Sequence, residues 1–341
     1  MTEKLKIPKP ISAGLILSYR CTSECKHCMY ACSPRWRGDW VTIDDAERIL
    51  AQLSGMIHES PLGPQSIGVN YGLHFTGGEP FLNFGLLLRI VEIAHRLKIP
   101  STFVETNSFW SVSDEVARSK LTRLREAGLQ GVLVSVNPFI LEHIPFERTM
   151  RTIRISRETF GDNVIVYQSF FYHQFRMLDL DGVLPFEEYL RRAGSRSLSY
   201  VELIPMGRAC YKLGHLYKRY RAKAFFSESC LEELTRPWHV HIDNYGNYIA
   251  GYCGGISLGD ARNLESICEG IDLGNFPIIA QLISPGGLGR LHKMAVEEFG
   301  YGDLPDGYIS KCHLCVDIRK YISQRTSEFR ELRPKEFYEN L

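Results

Sequence analysis

What the sequence has little of narrows it first. No stretch approaches the roughly 18 consecutive apolar residues that a membrane-crossing helix needs, so no span is expected. The opening residues, Met1 to Pro10, hold no apolar region of the signal-peptide kind. Neither sign of charge dominates: 40 lysines and arginines stand against 39 aspartates and glutamates, a formal net charge of +1. No block of like charge stands out, and nothing argues for a nucleic-acid or membrane-surface partner. Ten cysteines in 341 residues are too few for a disulfide scaffold and too many for chance in a reduced compartment. Their grouping indicates metal rather than disulfide. The expected setting is a cytoplasm low in oxygen. With 44% hydrophobic residues the chain can bury a full core, as one large or two ordinary domains.

What is present centres on residues 21 to 32. Cys21, Cys25 and Cys28 stand in a C-x3-C-x2-C arrangement. The apolar run Ala13 to Tyr19 leads into it and reads as a strand. Three thiols therefore sit at a strand's C-terminal end, where α/β sheets and barrels place their chemistry. Close-set thiolates are soft ligands for zinc or iron–sulfur clusters. A structural zinc site closes with four ligands, whereas three cysteines suit a cluster with one iron left open. Cys32 and His27 are candidate fourth ligands. About 50 residues on, Leu73-His-Phe-Thr-Gly77-Gly78-Glu79-Pro80 reads as a strand running into Gly-Gly-Glu-Pro.

In this order, each after a strand, the two motifs resemble the radical SAM superfamily. The resemblance implies a 4Fe–4S cluster on Cys21, Cys25 and Cys28, whose open iron chelates S-adenosylmethionine. By that logic Cys32 is not a ligand but a small buried or free thiol. It also implies that Gly77, Gly78, Glu79 and Pro80 meet the methionine amino group of the cofactor. Glycines bring backbone close to a ligand, and a carboxylate accepts from an ammonium. His27 falls at the family's usually aromatic position beside the adenine. Thr106 and Asn107 end the third strand, Ser135 and Asn137 the fourth. These pairs, with Gln168 on the fifth, are candidates for the methionine carboxylate and ribose, plain strand-end capping being the alternative.

Along the chain, strands and helices alternate six times: helices from Thr42, at Leu86 to Leu97, Ser113 to Gly128, Phe146 to Phe160 and Phe186 to Ala193. Strands are expected at Ser66 to Thr76, Ser101 to Asn107, Gly131 to Asn137, Val164 to Ser169 and Ser199 to Pro205. The pattern reads as parallel α/β, and it fits the family's partial (β/α)6 barrel over residues 1–205. After Pro205 the alternation stops, with a boundary near 206 to 225 and a small α+β domain over 206–341. Within that domain Val240 to Cys253 reads as a hairpin, and helices are expected at Asn275 to Leu282 and Leu288 to Glu298. Lys311 to Cys315 is a C-x2-C knuckle.

Cys230, Cys253, Cys312 and Cys315 form a second set, C-x22-C-x58-C-x2-C. The knuckle alone is ambiguous between zinc, a cluster and a redox pair. Hairpin, Cys253 and far knuckle together resemble the twitch auxiliary domain, a shortened SPASM domain. That implies a second 4Fe–4S cluster with four cysteine ligands; Cys268 is an alternative to Cys230. Pro205-Met-Gly207-Arg208-Ala209 resembles a stretch common at the sixth strand's end in such proteins. There Arg208 would bind a carboxylate or brace the junction. Cys210, beside it, is a candidate hydrogen-atom donor to a substrate radical, with a structural thiol as the alternative. Trp36 and Tyr30 read as packing residues.

These features imply an enzyme that cleaves S-adenosylmethionine reductively to a 5′-deoxyadenosyl radical and abstracts hydrogen from a substrate. The fully ligated second cluster would accept an electron, giving oxidation or a cross-link. A peptide substrate is expected, with an aminocyclitol or polyol as the alternative. About a dozen residues precede the first strand, so a peptide would need a separate recognition protein. An electron donor such as flavodoxin or ferredoxin is implied. An iron–sulfur carrier would not need Gly-Gly-Glu-Pro, and a zinc module of the nucleic-acid-binding kind fits the balanced charge poorly.

Overall fold

A computed structural model describes residues 4–200 and 203–341. Two compact units result: residues 10–25 with 32–202, and the described part of 1–9 with 26–31 and 203–341. Strand β1 (Lys4–Leu5) belongs to the second unit.

The first unit is built on five parallel strands, β2 (Ser12–Ile16), β3 (Gly72–Thr76), β4 (Phe103–Thr106), β5 (Gly131–Ser135) and β6 (Val164–Tyr167), in the spatial order β6-β5-β4-β3-β2. Helices α1 (Ile43–Leu53), α2 (Phe84–Arg96), α3 (Asp114–Glu126), α4 (Pro138–Leu141) and α5 (Phe146–Phe160) lie between successive strands, as parallel connections require. Helices α6 (Ser169–Met177) and α7 (Phe186–Ala193) follow β6. Local chemistry sets the helix ends. Thr42 caps α1 by accepting from the Asp45 N–H, and Ala46, Ile49, Leu50 and Leu53 form its buried face. Ser113 caps α3 in the same way, and Gly128, at φ +103°, lets the chain turn away after it.

Register decides which side chains share a face. Ala13 pairs with Leu73, His74 with Phe103, and Glu105 with Leu133. His74, Thr76, Glu105 and Ser135 therefore lie on one side of the sheet. Leu73, Phe75, Val104 and Val134 lie on the other, fully buried. The strands' C-terminal ends carry Gly77 to Pro80, Asn107, Asn137 and Gln168.

Two strands differ from expectation. The run from Ser66 pairs only from Gly72 onward, after a turn bridged between Gly68 and Tyr71. Gly72 sits at φ +72°, where a β-carbon would stand 2.1 Å from Ser101 O. The expected sixth strand begins in a 3-10 turn over Ser195–Tyr200. Ser199 Oγ donates to Arg196 O and Ser197 Oγ to Gly194 O, local bonds that compete with a ladder. Val201 and Glu202 lie outside the described residues, and Leu203 to Pro205 are not in a strand.

The second unit contains α8 (Ala209–Lys212), α9 (Leu231–Leu234) and the antiparallel hairpin β7 (Val240–Ile242) with β8 (Tyr248–Ile249). The hairpin turn is fixed by Asp243, whose Oδ1 accepts from the N–H groups of Tyr245 and Asn247. After it come α10 (Leu264–Glu269), β9 (Ile271–Asp272), α11 (Pro277–Ile283), α12 (Gly287–Phe299), α13 (Lys311–Ser323) and α14 (Lys335–Glu339). β9 pairs antiparallel with β1, Lys4 opposite Asp272. The expected knuckle is the first turn of α13, capped by Ser310. Among the described residues no helix is long and apolar enough to cross a membrane.

Candidate cluster and cofactor sites

The cysteine loop leaves β2 and is gripped by the Gly-Gly-Glu-Pro turn leaving β3. The Gly78 N–H donates to Ser18 O at 2.8 Å and the Glu79 N–H to Arg20 O at 3.0 Å. A β-carbon on Gly77, which sits at φ +128°, would stand 2.4 Å from Ser18 O, and one on Gly78 1.9 Å from Arg20 O. The backbone that these glycines admit is thus that of the segment entering Cys21.

Glu79 is 1% exposed and fully engaged. Its Oε2 accepts from the Asn107 N–H at 2.8 Å, and its Oε1 from the Phe81 N–H at 3.2 Å. Thr106 Oγ1 lies 3.0 and 3.1 Å from the two oxygens and donates its one hydrogen here. That hydroxyl also accepts from Trp110 Nε1 at 2.9 Å and the Ser108 N–H at 3.0 Å. Burial raises the Glu79 carboxyl to about 7, against the lowering effect of its donors. The network ties the ends of β3 and β4 together. It leaves the Thr106 hydroxyl without a hydrogen for a ligand.

In the second unit four thiols meet. Cys230, Cys253, Cys312 and Cys315 line one cavity. Cys312 and Cys315 stand three apart on the first turn of α13, hence on one face. Cys230 precedes α9, and Cys253 follows the hairpin. Cys268, on α10, is not among the lining residues. Burial raises the thiols of Cys230, Cys253 and Cys312, Cys253 to about 11, and neighbouring thiols push each of them further up.

Residues 15–171 match the family model of the Radical SAM superfamily. That stretch, a little under half of the chain, is similar to a radical SAM domain. No curated protein matches the chain. Among solved structures the chain is similar to BtrN in complex with AdoMet and 2-DOIA, at 14% identity over 84% of this chain and 91% of that one, TM-score 0.44. It is similar to a histidine-tagged form of anSMEcpe with bound AdoMet, at 13% identity over 97% and 95%, TM-score 0.46. It is also similar to Streptococcus suis SuiB bound to precursor peptide SuiA, at 13% identity over 72% and 60%, TM-score 0.34.

A radical SAM domain implies a 4Fe–4S cluster and S-adenosylmethionine, and the residues fit both. Cys21 Sγ is approached by the Ser23 N–H at 3.4 Å and by Asn107 Nδ2 at 3.7 Å, donors suited to a ligating thiolate. Asn107 also donates to Thr22 Oγ1 at 3.1 Å, linking the end of β4 to the cysteine loop. Gln168 Oε1 is buried without a hydrogen-bond partner at the end of β6. Its backbone is left-handed at φ +63°, a costly conformation for glutamine. Asn137 uses Oδ1 to cap α4, accepting from the Phe139 and Ile140 N–H groups. Ser135 is partly exposed on the face of His74 and Glu105.

His27, Tyr30 and Cys28 group with the second unit. His27 is half-buried, and desolvation followed by the charge of Arg208 lowers it to about 4, so it is neutral at pH 7. The Arg208 N–H donates to Cys28 O at 3.1 Å, and a β-carbon on Gly207 would stand 2.3 Å from Met29 O. The Gly207-Arg208 step is thus moulded onto the backbone of the third cysteine. Arg208 is buried with Nε donating to Asn340 O at 3.1 Å, a brace between chain segments. Cys210 is fully buried, raised by burial to about 12, and its thiol donates to Pro205 O at 3.2 Å. That geometry speaks for a packing thiol rather than a hydrogen-atom donor. Tyr30 donates to Gly251 O and contacts His241 Nδ1 at 2.8 Å. In the first unit, Trp36 stacks on Tyr19 at 4.3 Å and Cys32 is buried.

Two residues escaped the sequence reading. Glu105 accepts from Thr76 Oγ1 at 2.6 Å, and its other oxygen lies 3.7 Å from His74 Nε2. Desolvation raises its carboxyl to about 7, opposed by the Thr76 hydrogen bond. Its signal was available: a lone acid inside an apolar parallel strand. The other is Arg319, one turn beyond Cys315 on α13, where i and i+4 side chains meet.

Proposed function

We propose that the protein is a radical SAM enzyme with an auxiliary iron–sulfur cluster, which oxidises or cross-links its substrate. A peptide is the favoured substrate class, and an aminocyclitol or polyol is the alternative. The observation that carries this reading is the presence of two distinct thiol sets: three on the loop held by Gly77 to Pro80, and four around one cavity.

Cys21, Cys25 and Cys28 would hold the 4Fe–4S cluster, which would supply, when bound with S-adenosylmethionine, the electron for a 5′-deoxyadenosyl radical and hence hydrogen abstraction. This chain's residues do the positioning. Gly77 and Gly78 fix the cysteine loop, Glu79 and Thr106 lock the strand ends beneath it, and Asn107 points a donor at Cys21. Gln168 offers an unmatched acceptor to the cofactor. Thr76, His74 and Glu105 present a polar face whose carboxylate would receive an N–H or O–H of the substrate. The second set, with four thiols, leaves no open iron and suits electron acceptance. Among the described residues no three of its sulfurs crowd within 4.8 Å of one another. A tetrahedral zinc, at a Zn–S distance of about 2.3 Å, would draw them to about 3.8 Å. The partners implied are an electron donor such as flavodoxin or ferredoxin and, for a peptide, a separate recognition protein.

Iron and sulfide per chain after anaerobic reconstitution test this. About eight irons in the wild type, falling to about four when Cys21, Cys25 and Cys28 are all changed to alanine, is the expected result. About four falling to none would remove the auxiliary cluster and the electron-acceptor role with it.

A further inference from the structure

We propose that Arg319 is the counter-charge of the auxiliary site, pairing with the thiolate-ligated cluster and raising its reduction potential. The inference rests on the auxiliary cluster proposed above.

Arg319 is 5% exposed. Its Nε donates to Cys315 Sγ at 3.3 Å, and its Nη1 donates to Gly254 O at 3.0 Å and to Tyr338 OH at 2.8 Å. It lines the cavity with the four cysteines. None of these partners is a carboxylate. A guanidinium taken out of water without an anion is costly, and proteins keep such a charge where something negative answers it. The nearby cationic side chain differs: Lys311 on the same helix has Nζ 2.5 Å from Glu233 Oε1 and is already matched.

Neutral thiols cannot answer the charge of Arg319. Cluster binding changes that, because ligation requires four thiolates and leaves the site anionic. The charge of Arg319 is therefore balanced in the loaded protein. Each electron added to the cluster adds one more negative charge beside the guanidinium. The cation stabilises the reduced form more than the oxidised one, and the Nε–H···Sγ bond acts in the same direction. A raised potential is what an electron acceptor needs.

The test uses the full chain with Cys21, Cys25 and Cys28 all changed to alanine, so that only the auxiliary cluster remains. Its potential is read by redox titration followed by electron paramagnetic resonance, in that parent and with Arg319→Met or Arg319→Lys added. The expected result is a lower potential for Arg319→Met and a value nearer the parent's for Arg319→Lys. Iron lost from Arg319→Met but retained by Arg319→Lys also supports the charge role. An Arg319→Met protein with full iron and an unchanged potential overturns the proposal. Iron lost equally from both variants, with helix content intact, overturns it in favour of packing. A parent without iron would instead defeat the auxiliary-cluster reading itself.

Discussion

Replacing Gly78 by alanine would separate two ways in which the Gly-Gly-Glu-Pro turn could work. The new β-carbon would stand 1.9 Å from Arg20 O and 2.9 Å from Cys21 N, both backbone atoms. Ordinary contact lies near 3.5 Å, so the segment entering Cys21 must retreat by about 1.5 Å. That displacement weakens the bonds from Gly78 N to Ser18 O and from Glu79 N to Arg20 O. Each is worth about 1 kcal/mol net, and overpacking adds about 1–3 kcal/mol. A penalty of about 3–5 kcal/mol exceeds what a local opening requires, so the loop undocks while the domain stays folded. The assay is iron per chain after anaerobic reconstitution, beside the melting temperature. Gly78→Ala should lose about four irons, the share of the N-terminal cluster. Gly85→Ala, in α2 with nothing within 4 Å of the added carbon, is the control and should keep them. Full iron and an unchanged melting temperature in Gly78→Ala would refute the docking argument and return the glycine to direct contact with cofactor.

Two more substitutions probe the first unit. Thr106→Val keeps the shape but removes Glu79's hydroxyl donor and the acceptor of Trp110 Nε1; urea unfolding should show a loss of about 2–3 kcal/mol, and a loss below about 0.5 would contradict the network. Glu105 has a folded-state value raised to about 7 from 4.5, so its contribution to stability is full below 4.5 and is lost as pH rises through 7. The wild type should lose stability between pH 5 and 8, and Glu105→Gln should flatten that slope by up to about 2 kcal/mol. Melting temperatures across that range decide it, with equal slopes counting against a buried ionisable role.

Much of this was legible in the sequence. The two motifs and the helix caps at Thr42 and Ser113 could be read because each is a local signal with a fixed spacing. The 3-10 turn at Ser195–Tyr200, where the sixth strand was expected to begin, could not, because Ser197 and Ser199 bond to their own backbone and no pattern of apolar residues reveals that. The role of Gly78 was hidden for a different reason: its neighbour in space is Arg20, 58 residues earlier. Glu105 and Arg319 belong to no motif. Each is defined by what surrounds it, and only folded coordinates bring Thr76 to the one and Gly254 to the other. Cys268 was an open alternative to Cys230, and of the two only Cys230 lines the cavity with the other three thiols.

The pairing of β1 with β9 bears on how the chain is made. At about 5–20 residues per second, the roughly 270 residues between the two strands take about 15–50 s to synthesise. Lys4 and Leu5 have no ladder until Ile271 and Asp272 arrive. Cys312 and Cys315 emerge later still, long after Cys21, Cys25 and Cys28. The early thiols therefore emerge well before the second set can meet. If both sets take iron as proposed, its delivery is staggered in time by the order of the chain itself.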